Sequence, residues 1–224
     1  MIDIHSHILP EMDDGSDSLE TSLKMLEMLH SQGVTQVAAT PHFYATKDDP
    51  EAFLRRRQES LKSLSWDDKK SPRILVGAEV AYFDGMSRCR ELKKMELGDT
   101  GLLLVEMPFI EWTSRMIEEL ERIPLELGLT PMLAHIERYR GKKQLRKFLP
   151  ELERQGVAMQ CNVETFLTGK TRRWGLSMIK KGYIHFLGTD AHNLTTRAPR
   201  YAEAIQVIAK KLGQEVCEEL TKPL

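Results

Sequence analysis

Cysteine is scarce. Cys89, Cys161 and Cys217 are all that a 224-residue chain carries. They are too few and too scattered for a disulfide framework, and they lack the Cys-x-x-Cys spacing of a structural zinc site. They read as core or surface thiols of a reducing compartment. Long apolar runs are missing too: no stretch approaches the ~20 residues of a membrane helix. The opening MIDIHSHILP has neither the basic segment nor the apolar run of a signal peptide, so a cytoplasmic chain without a membrane span is expected. Charge of one sign is not in excess. Lys plus Arg number 32 and Asp plus Glu 33, a formal net charge of −1. That balance argues against a nucleic-acid partner held by bulk charge. No repeat or low-complexity tract appears. With 41 % hydrophobic and 29 % charged residues, the composition excludes disordered, collagen-like and coiled-coil chains. The length suits one α/β domain over residues 1–224.

What is present is an alternation of apolar strands and amphipathic helices. MIDIH, VTQVAATPH, ILVGAEVAY, GLLLVEMP, LTPMLAHIE, VAMQCNVE and YIHFLGTDAH read as strands. Between them, Leu19, Leu23, Leu26 and Leu29 recur at helical spacing before Gly33. Residues 50–64 form a charged surface helix. Residues 112–127 form another, with Met116, Ile117, Leu120 and Ile123 on one face. Residues 144–155 are helical, with Pro150 as a kink or restart. Residues 172–181 and 197–212 complete the set, the last with Ile205, Ile208 and Leu212 on one side. Roughly seven β-then-α units imply a parallel sheet with covering helices. No glycine fingerprint follows the first strand, which disfavours a dinucleotide fold.

Ligand-type residues recur at strand ends. His5 and His7 end the first strand, His42 the second, Glu79 the third, Glu106 the fourth and His135 the fifth. Asp190 and His192 follow the last. In an α/β barrel these ends open onto one face, where active sites form. Residues i and i+2 of an extended segment point to the same side, so a His-x-His pair can reach one ion. Mixed imidazole and carboxylate ligands suit Mn, Fe or Zn, with Mg at the oxygen-rich end. The set exceeds the needs of one ion and suits two or three. Asp14 in EMDDG is a further candidate, with Asp13 its rival. His30 reads as a partner of its helix C-terminus, His185 as a packed mid-strand residue, and Arg55, Arg56 and Arg57 as a solvated helix face or an oligomer contact.

The segments MIDIHSHILPEMDDG, TPHF, GAEV, HIERY and GTDAHN together resemble the polymerase-and-histidinol-phosphatase (PHP) superfamily, and within it the bacterial protein-tyrosine phosphatases of capsular and exopolysaccharide operons. The resemblance implies a distorted TIM-like (β/α)7 barrel and a trinuclear site with manganese as the first choice. The implied ligands are His5, His7, Asp14, His42, Glu79, Glu106, His135, Asp190 and His192. Arg138 and Arg197 resemble the phosphate-binding arginines; Arg200 reads as a helix-surface residue. The implied reaction is hydrolysis of phosphotyrosine by metal-activated water. The implied partner is a bacterial tyrosine autokinase, and a homo-oligomer stays open.

The chemistry is coherent. Divalent ions neutralise a phosphomonoester and lower the pKa of bound water, while arginine matches phosphate oxygens with its fork of donors. Tyrosine leaves as a phenolate of pKa ~10 and depends less on a general acid than an alcohol does. His42 is of the right type for that acid, but its ligand role is favoured. Phe43 and Tyr44 are candidates for packing against the substrate ring. A cysteine mechanism needs an arginine about six positions after the thiolate; those positions hold Met95, Leu167 and Pro223. A small-molecule phosphatase such as histidinol-phosphatase is the alternative. An amidohydrolase would need a strand-end lysine, which is not seen, and an inactive binding scaffold would have lost ligands.

Overall fold

The computed structural model describes residues 1–64, 71–141 and 143–224. Its strands are β1 (Ile2–Ser6), β2 (Gln36–Ala39), β3 (His42–Phe43), β4 (Arg73–Val76), β5 (Glu79–Ala81), β6 (Leu102–Glu106), β7 (Thr130–Leu133), β8 (Ala158–Asn162) and β9 (Phe186–Gly188). The helices are α1 (Leu19–Ser31), α2 (Pro50–Ser63), α3 (Ser114–Leu127), α4 (Lys143–Arg154), α5 (Gly169–Lys180), α6 (Tyr201–Leu212) and α7 (Gln214–Leu220). All strand pairs are parallel. One sheet runs β1-β2-β4 and the other β3-β5-β6-β7-β8-β9. A bridge between Ser6 and Ala191, and the Asp190 N–H donating to the His5 carbonyl at 2.7 Å, join β1 to the end of the long sheet. The result is a curled parallel sheet with helices outside it, the distorted TIM-like architecture expected.

Two strands read as continuous are broken. VTQVAATPH divides into β2 and β3 around Pro41, which has no N–H to give a ladder. ILVGAEVAY divides into β4 and β5 at Gly77. There the segment 95–98 takes a strand's place: Met95 accepts from the Ala78 N–H, and Gly98 donates to the Val76 carbonyl. A Cβ on Gly77 would lie 2.4 Å from Leu97 Cδ2 and 3.2 Å from the Glu96 carbonyl and Leu97 Cα, so a larger residue here would displace the Leu97 side chain and press on the 95–98 backbone. The Gly77 carbonyl accepts from Arg57 Nη1 at 2.7 Å, and Arg57 Nη2 donates to the Lys94 carbonyl at 2.7 Å. Arg57 is therefore a brace across the break, not a solvated residue; Arg55 and Arg56 are exposed as expected.

Other boundaries move for local reasons. Helix α2 starts at Pro50, with the Asp49 carboxylate accepting from the Ala52 N–H, a favourable N-cap. Pro150 lies inside an unbroken α4 and does not restart it. Pro199 holds residues before α6 out of the helix, which begins at Tyr201, not 197. Helix α7, Gln214–Leu220, lies beyond the last helix that the sequence pattern predicts. Strand β9 is only Phe186–Gly188. His185 lies before it and is exposed, with Nδ1 accepting from the Met159 N–H at 3.1 Å; it is not a packed mid-strand residue.

Ile2, Ile4, Ala38, Leu75, Leu104, Met132 and Ala158 belong to an apolar cluster to which no helical residue contributes among the described residues. A larger cluster joins the opposite strand faces, such as Val37, Leu103, Val105 and Leu133, to helical residues including Leu26, Leu120 and Ile208. In β6 the period of two is plain: Leu103 and Val105 face the helices, and Leu104 faces the interior.

Candidate metal centre

Strand direction delivers the polar residues to one end of the sheet. His5 lies in β1 and Glu106 ends β6. The two strand breaks change the expected placement of His42 and Glu79, which begin β3 and β5 and pair with each other in register. His135 and Asp190 lie just beyond β7 and β9 in left-handed backbone, with φ of 33° and 52°. Such conformations cost on the order of 1–3 kcal/mol in non-glycine residues and concentrate at functional sites.

Glu79 is the hub. Its Oε2 lies 3.3 Å from His5 Nε2, 3.4 Å from His7 Nε2 and 2.9 Å from His42 Nδ1. Its Oε1 is 2.9 Å from His135 Nε2, which is 3.2 Å from Glu106 Oε1. Asp190 Oδ1 lies 3.6 Å from His5 Nε2 and 3.4 Å from His7 Nε2. Asp14, 68 % exposed, lies over the opening: its Oδ1 is 3.5 Å from both His42 Nε2 and His192 Nε2. Three overlapping groups have donor atoms within 4.8 Å of one another: His7, Asp14, His42 and His192; His5, His7 and Asp190; His42, Glu79 and Glu106. His135 falls outside these groups but contacts the carboxylates of the third. The structure thus brings together every metal-type residue singled out in the sequence.

The donor set fits cations. His5 Nε2 and His7 Nε2 face each other at 3.2 Å. His42 Nδ1, Glu79 Oε2, His135 Nδ1 and His192 Nε2 are buried with no hydrogen-bond partner among the described residues. Stranded buried donors and acceptors are costly unless another group satisfies them. His42 Nδ1 and Glu79 Oε2 are close, but their angle does not make a hydrogen bond.

The crowding shows in the ionisation. Burial opposes charge on His7, yet its contact with the Asp13 carboxylate and the nearby carboxylates of Asp190 and Glu79 hold it well above its usual value. Burial likewise opposes charge on His135, and Glu106 and Glu79 raise it to about 9. Glu79 is held well below the carboxylate range, against burial, by His5, His135 and His42. Asp190 is depressed by His5, His7 and Arg138 against its own burial. His192 falls to about 4, through burial and the charge of His7.

A supporting layer was not legible from spacing. Asp13, the rival of Asp14, stands behind the candidate ligands: its Oδ2 is 2.7 Å from His7 Nδ1 and accepts from the His42 N–H at 2.8 Å. Gln160 Oε1 accepts from the His135 N–H at 2.6 Å and from His5 Nδ1 at 3.2 Å. Gln160 Nε2 donates to Asn162 Oδ1 at 2.8 Å, and Asn162 Nδ2 donates to Asp190 Oδ2 at 2.9 Å. Asp3 accepts from the backbone N–H and hydroxyl of Thr189, tying β1 to the Asp190 turn.

Arg138 pairs with Asp190 Oδ2, and Arg197 Nη2 lies 2.7 Å from Asp190 Oδ1. Each is about one-third exposed, so both guanidinium groups border the cluster and reach solvent. Arg200 pairs with Glu203 on the surface. Phe43 is fully buried against Phe53 at 5.2 Å, which removes it as a substrate contact; Tyr44 stays half-buried, 5.3 Å from the His42 ring. Burial pushes the thiols of Cys89, Cys161 and Cys217 up, away from thiolate chemistry.

The family model "Capsular polysaccharide synthesis, CpsB/CapC" matches residues 1–222. Tyrosine-protein phosphatase YwqE of Bacillus subtilis is 32 % identical over 228 residues, covering 99 % of this chain and 89 % of that protein. A crystal structure from work on YwqE from B. subtilis and CpsB from Streptococcus pneumoniae, described as unique metal-dependent tyrosine phosphatases, is similar with a TM-score of 0.85. It is 30 % identical, with 99 % of this chain and 92 % of that chain covered. Histidinol phosphate phosphatase from Lactococcus lactis, solved with zinc, L-histidinol and phosphate, is 18 % identical with a TM-score of 0.56. It covers 96 % of this chain and 93 % of that one, a likeness of fold alone.

Proposed function

The chain belongs to the capsular polysaccharide synthesis CpsB/CapC family, and from that premise we propose that it is a metal-dependent protein-tyrosine phosphatase. The reading rests above all on one observation: imidazoles and carboxylates from distant strands crowd at one end of the sheet, with buried donor atoms left unsatisfied.

His5, His7, Asp14, His42, Glu79, Glu106, His135, Asp190 and His192 would hold two or three divalent ions, with manganese preferred and iron, zinc or magnesium as substitutes. Such ions would neutralise phosphoryl charge and activate water at neutral pH. The chain's residues do the rest. Asp13 and Gln160 fix the tautomers of His7 and His5, so their Nε2 atoms point inward. Arg138 and Arg197, which pair with Asp190, would turn their remaining N–H donors to phosphate oxygens. The raised thiols leave no cysteine nucleophile. A phenolate leaving group lessens the need for a general acid, so His42 serves better as a ligand.

The substrate would be a phosphotyrosine protein, a bacterial tyrosine autokinase of the polysaccharide export system, met in the cytoplasm. Among the described residues no helix is long and apolar enough to cross a membrane. The test is turnover of a phosphotyrosine peptide beside histidinol phosphate by manganese-loaded protein. We expect the peptide to be strongly preferred; preference for histidinol phosphate would overturn the assignment.

A further inference from the structure

Two clefts meet beside the candidate metal centre. The lining of the first, about 100 Å³, includes Asp190, Arg138, Arg197 and Arg200. That of the second, about 380 Å³, includes the apolar Leu167 and Val207, with Arg172 of α5, Arg200, and Lys210 of α6 around them. Arg200 lines both, so one track runs from Asp190 outward to Lys210. The loop before Arg200 is held in place: Asn193 Oδ1 accepts from the N–H groups of Thr195 and Arg197, each at 3.0 Å. Cations outnumber carboxylates along the track, where Arg138, Arg172, Arg197, Arg200 and Lys210 face only Glu164, Asp190 and Glu203. The surplus lies at the outer end. Arg138 and Arg197 share Asp190, and Arg200 pairs with Glu203 through Nε at 3.0 Å and Nη2 at 2.6 Å. Arg172 instead donates to neutral acceptors, the Phe166 and Leu167 carbonyls, at 2.7 and 3.0 Å. Neither Arg172 nor Lys210 has a carboxylate partner among the described residues.

Resting on the phosphotyrosine reading above, we propose that this track docks the substrate polypeptide beside its phosphotyrosine and selects segments with an acidic side chain at the Arg172–Lys210 end. A phosphotyrosine within a protein has chain on both sides of it. The first cleft opens at the Arg138–Asp190–Arg197 group, and the second continues it, so a segment leaving that group has a path to follow. Leu167 and Val207 offer apolar surface to its carbon atoms. Arg172 and Lys210 offer a carboxylate two positive charges that no described carboxylate already holds. Glu164 and Glu203 within the same clefts repel a continuous polyanion, which favours a single acidic side chain over a nucleic-acid strand. The cleft therefore discriminates among phosphotyrosine sites by their neighbours, a selection that the candidate metal ligands alone do not make.

The experiment measures binding of two peptides that carry the non-hydrolysable phosphonomethyl-phenylalanine, one flanked by glutamates and one by serines. It compares wild type, Lys210→Glu and Lys222→Glu, all manganese-loaded. Both lysines are exposed, and Lys222 lies outside both clefts, so its reversal changes the net charge equally without touching the track. We expect wild type and Lys222→Glu to prefer the glutamate peptide about fivefold at low salt, and the preference to shrink as salt is added. Lys210→Glu should abolish the preference while binding the serine peptide as wild type does. Equal affinity of wild type for the two peptides would overturn the proposal. So would a preference that survives in Lys210→Glu, or one lost as fully in Lys222→Glu, which would mean bulk charge only. Turnover of free phosphotyrosine by wild type and Lys210→Glu is scored alongside, and is expected to be the same in both. Its absence in wild type, with the peptide preference intact, would count against the catalytic reading and leave the docking cleft standing.

Discussion

An imidazole can serve a cation only through an unprotonated nitrogen. In this protein the choice of nitrogen is made by groups other than the candidate donor atoms, two of them side chains outside the candidate set and one a backbone carbonyl. Asp13 lies against His7 Nδ1, Gln160 Oε1 accepts from His5 Nδ1, and the Asp190 carbonyl accepts from His192 Nδ1 at 2.9 Å. Each contact leaves an Nε2 for the interior. Replacing Asp13 by Ala should therefore lower manganese affinity about tenfold to a hundredfold, measured by calorimetric titration; wild-type affinity would show that His7 needs no such partner. His192→Ala or Glu106→Ala should cut phosphotyrosine turnover by orders of magnitude while the circular dichroism spectrum holds. The ionisation gives a sign. In the metal-free protein His135 sits at about 9 and His7 well above its usual value, so both carry protons at neutral pH. A metal must displace them, and affinity should rise as pH increases toward the His135 value. Titrations in buffers of differing ionisation enthalpy should report proton release on binding; proton uptake would contradict the account. The candidate ligands were legible because their types recur beside strand signals. Gln160, Asp3 and Asn162 were not, because a buried amide or carboxylate acting through another residue leaves no local pattern.

Strands position these side chains only because the sheet is interrupted where it is. Pro41 and Gly77 divide two strands that hydropathy alone reads as continuous, and the division makes His42 and Glu79 register partners at the start of β3 and β5. That consequence depends on the segment 95–98 arriving from elsewhere in the chain, which no local pattern signals. The late start of α6 has a local cause in Pro199, and Arg57 reads as one of a basic run until its acceptors at Gly77 and Lys94 are seen. Close approach gives a test at this scale. A Cβ on Gly188 would lie 2.7 Å from His5 Cβ and 3.1 Å from the His5 nitrogen. With backbone on the opposing side, Gly188→Ala should cost about 1–3 kcal/mol and weaken metal binding by displacing His5. Thermal melts with and without manganese would check this; a melting temperature and metal affinity equal to wild type would contradict it.

At the scale of the molecule, the proposed metal binding would be linked to folding. The candidate ligands span residues 5–192, so the unfolded chain has no comparable site, and a cation that binds the native state would stabilise the whole fold. Saturation at a hundredfold over Kd should add about 2.7 kcal/mol per ion, a rise of about 5–10 °C in melting temperature for a chain of this size. An unchanged melting temperature at saturating manganese would contradict the linkage. The parallel sheet with covering helices was readable from the strand–helix rhythm, while its TIM-like barrel form was implied by the family resemblance and not by the rhythm.

The central claim is that this assembled cluster works through divalent ions, and it is tested most directly by phosphotyrosine-peptide turnover in protein stripped by chelator and then titrated with manganese. The account predicts no turnover when stripped and full recovery once two or three equivalents are bound. Undiminished turnover by the stripped protein would contradict it.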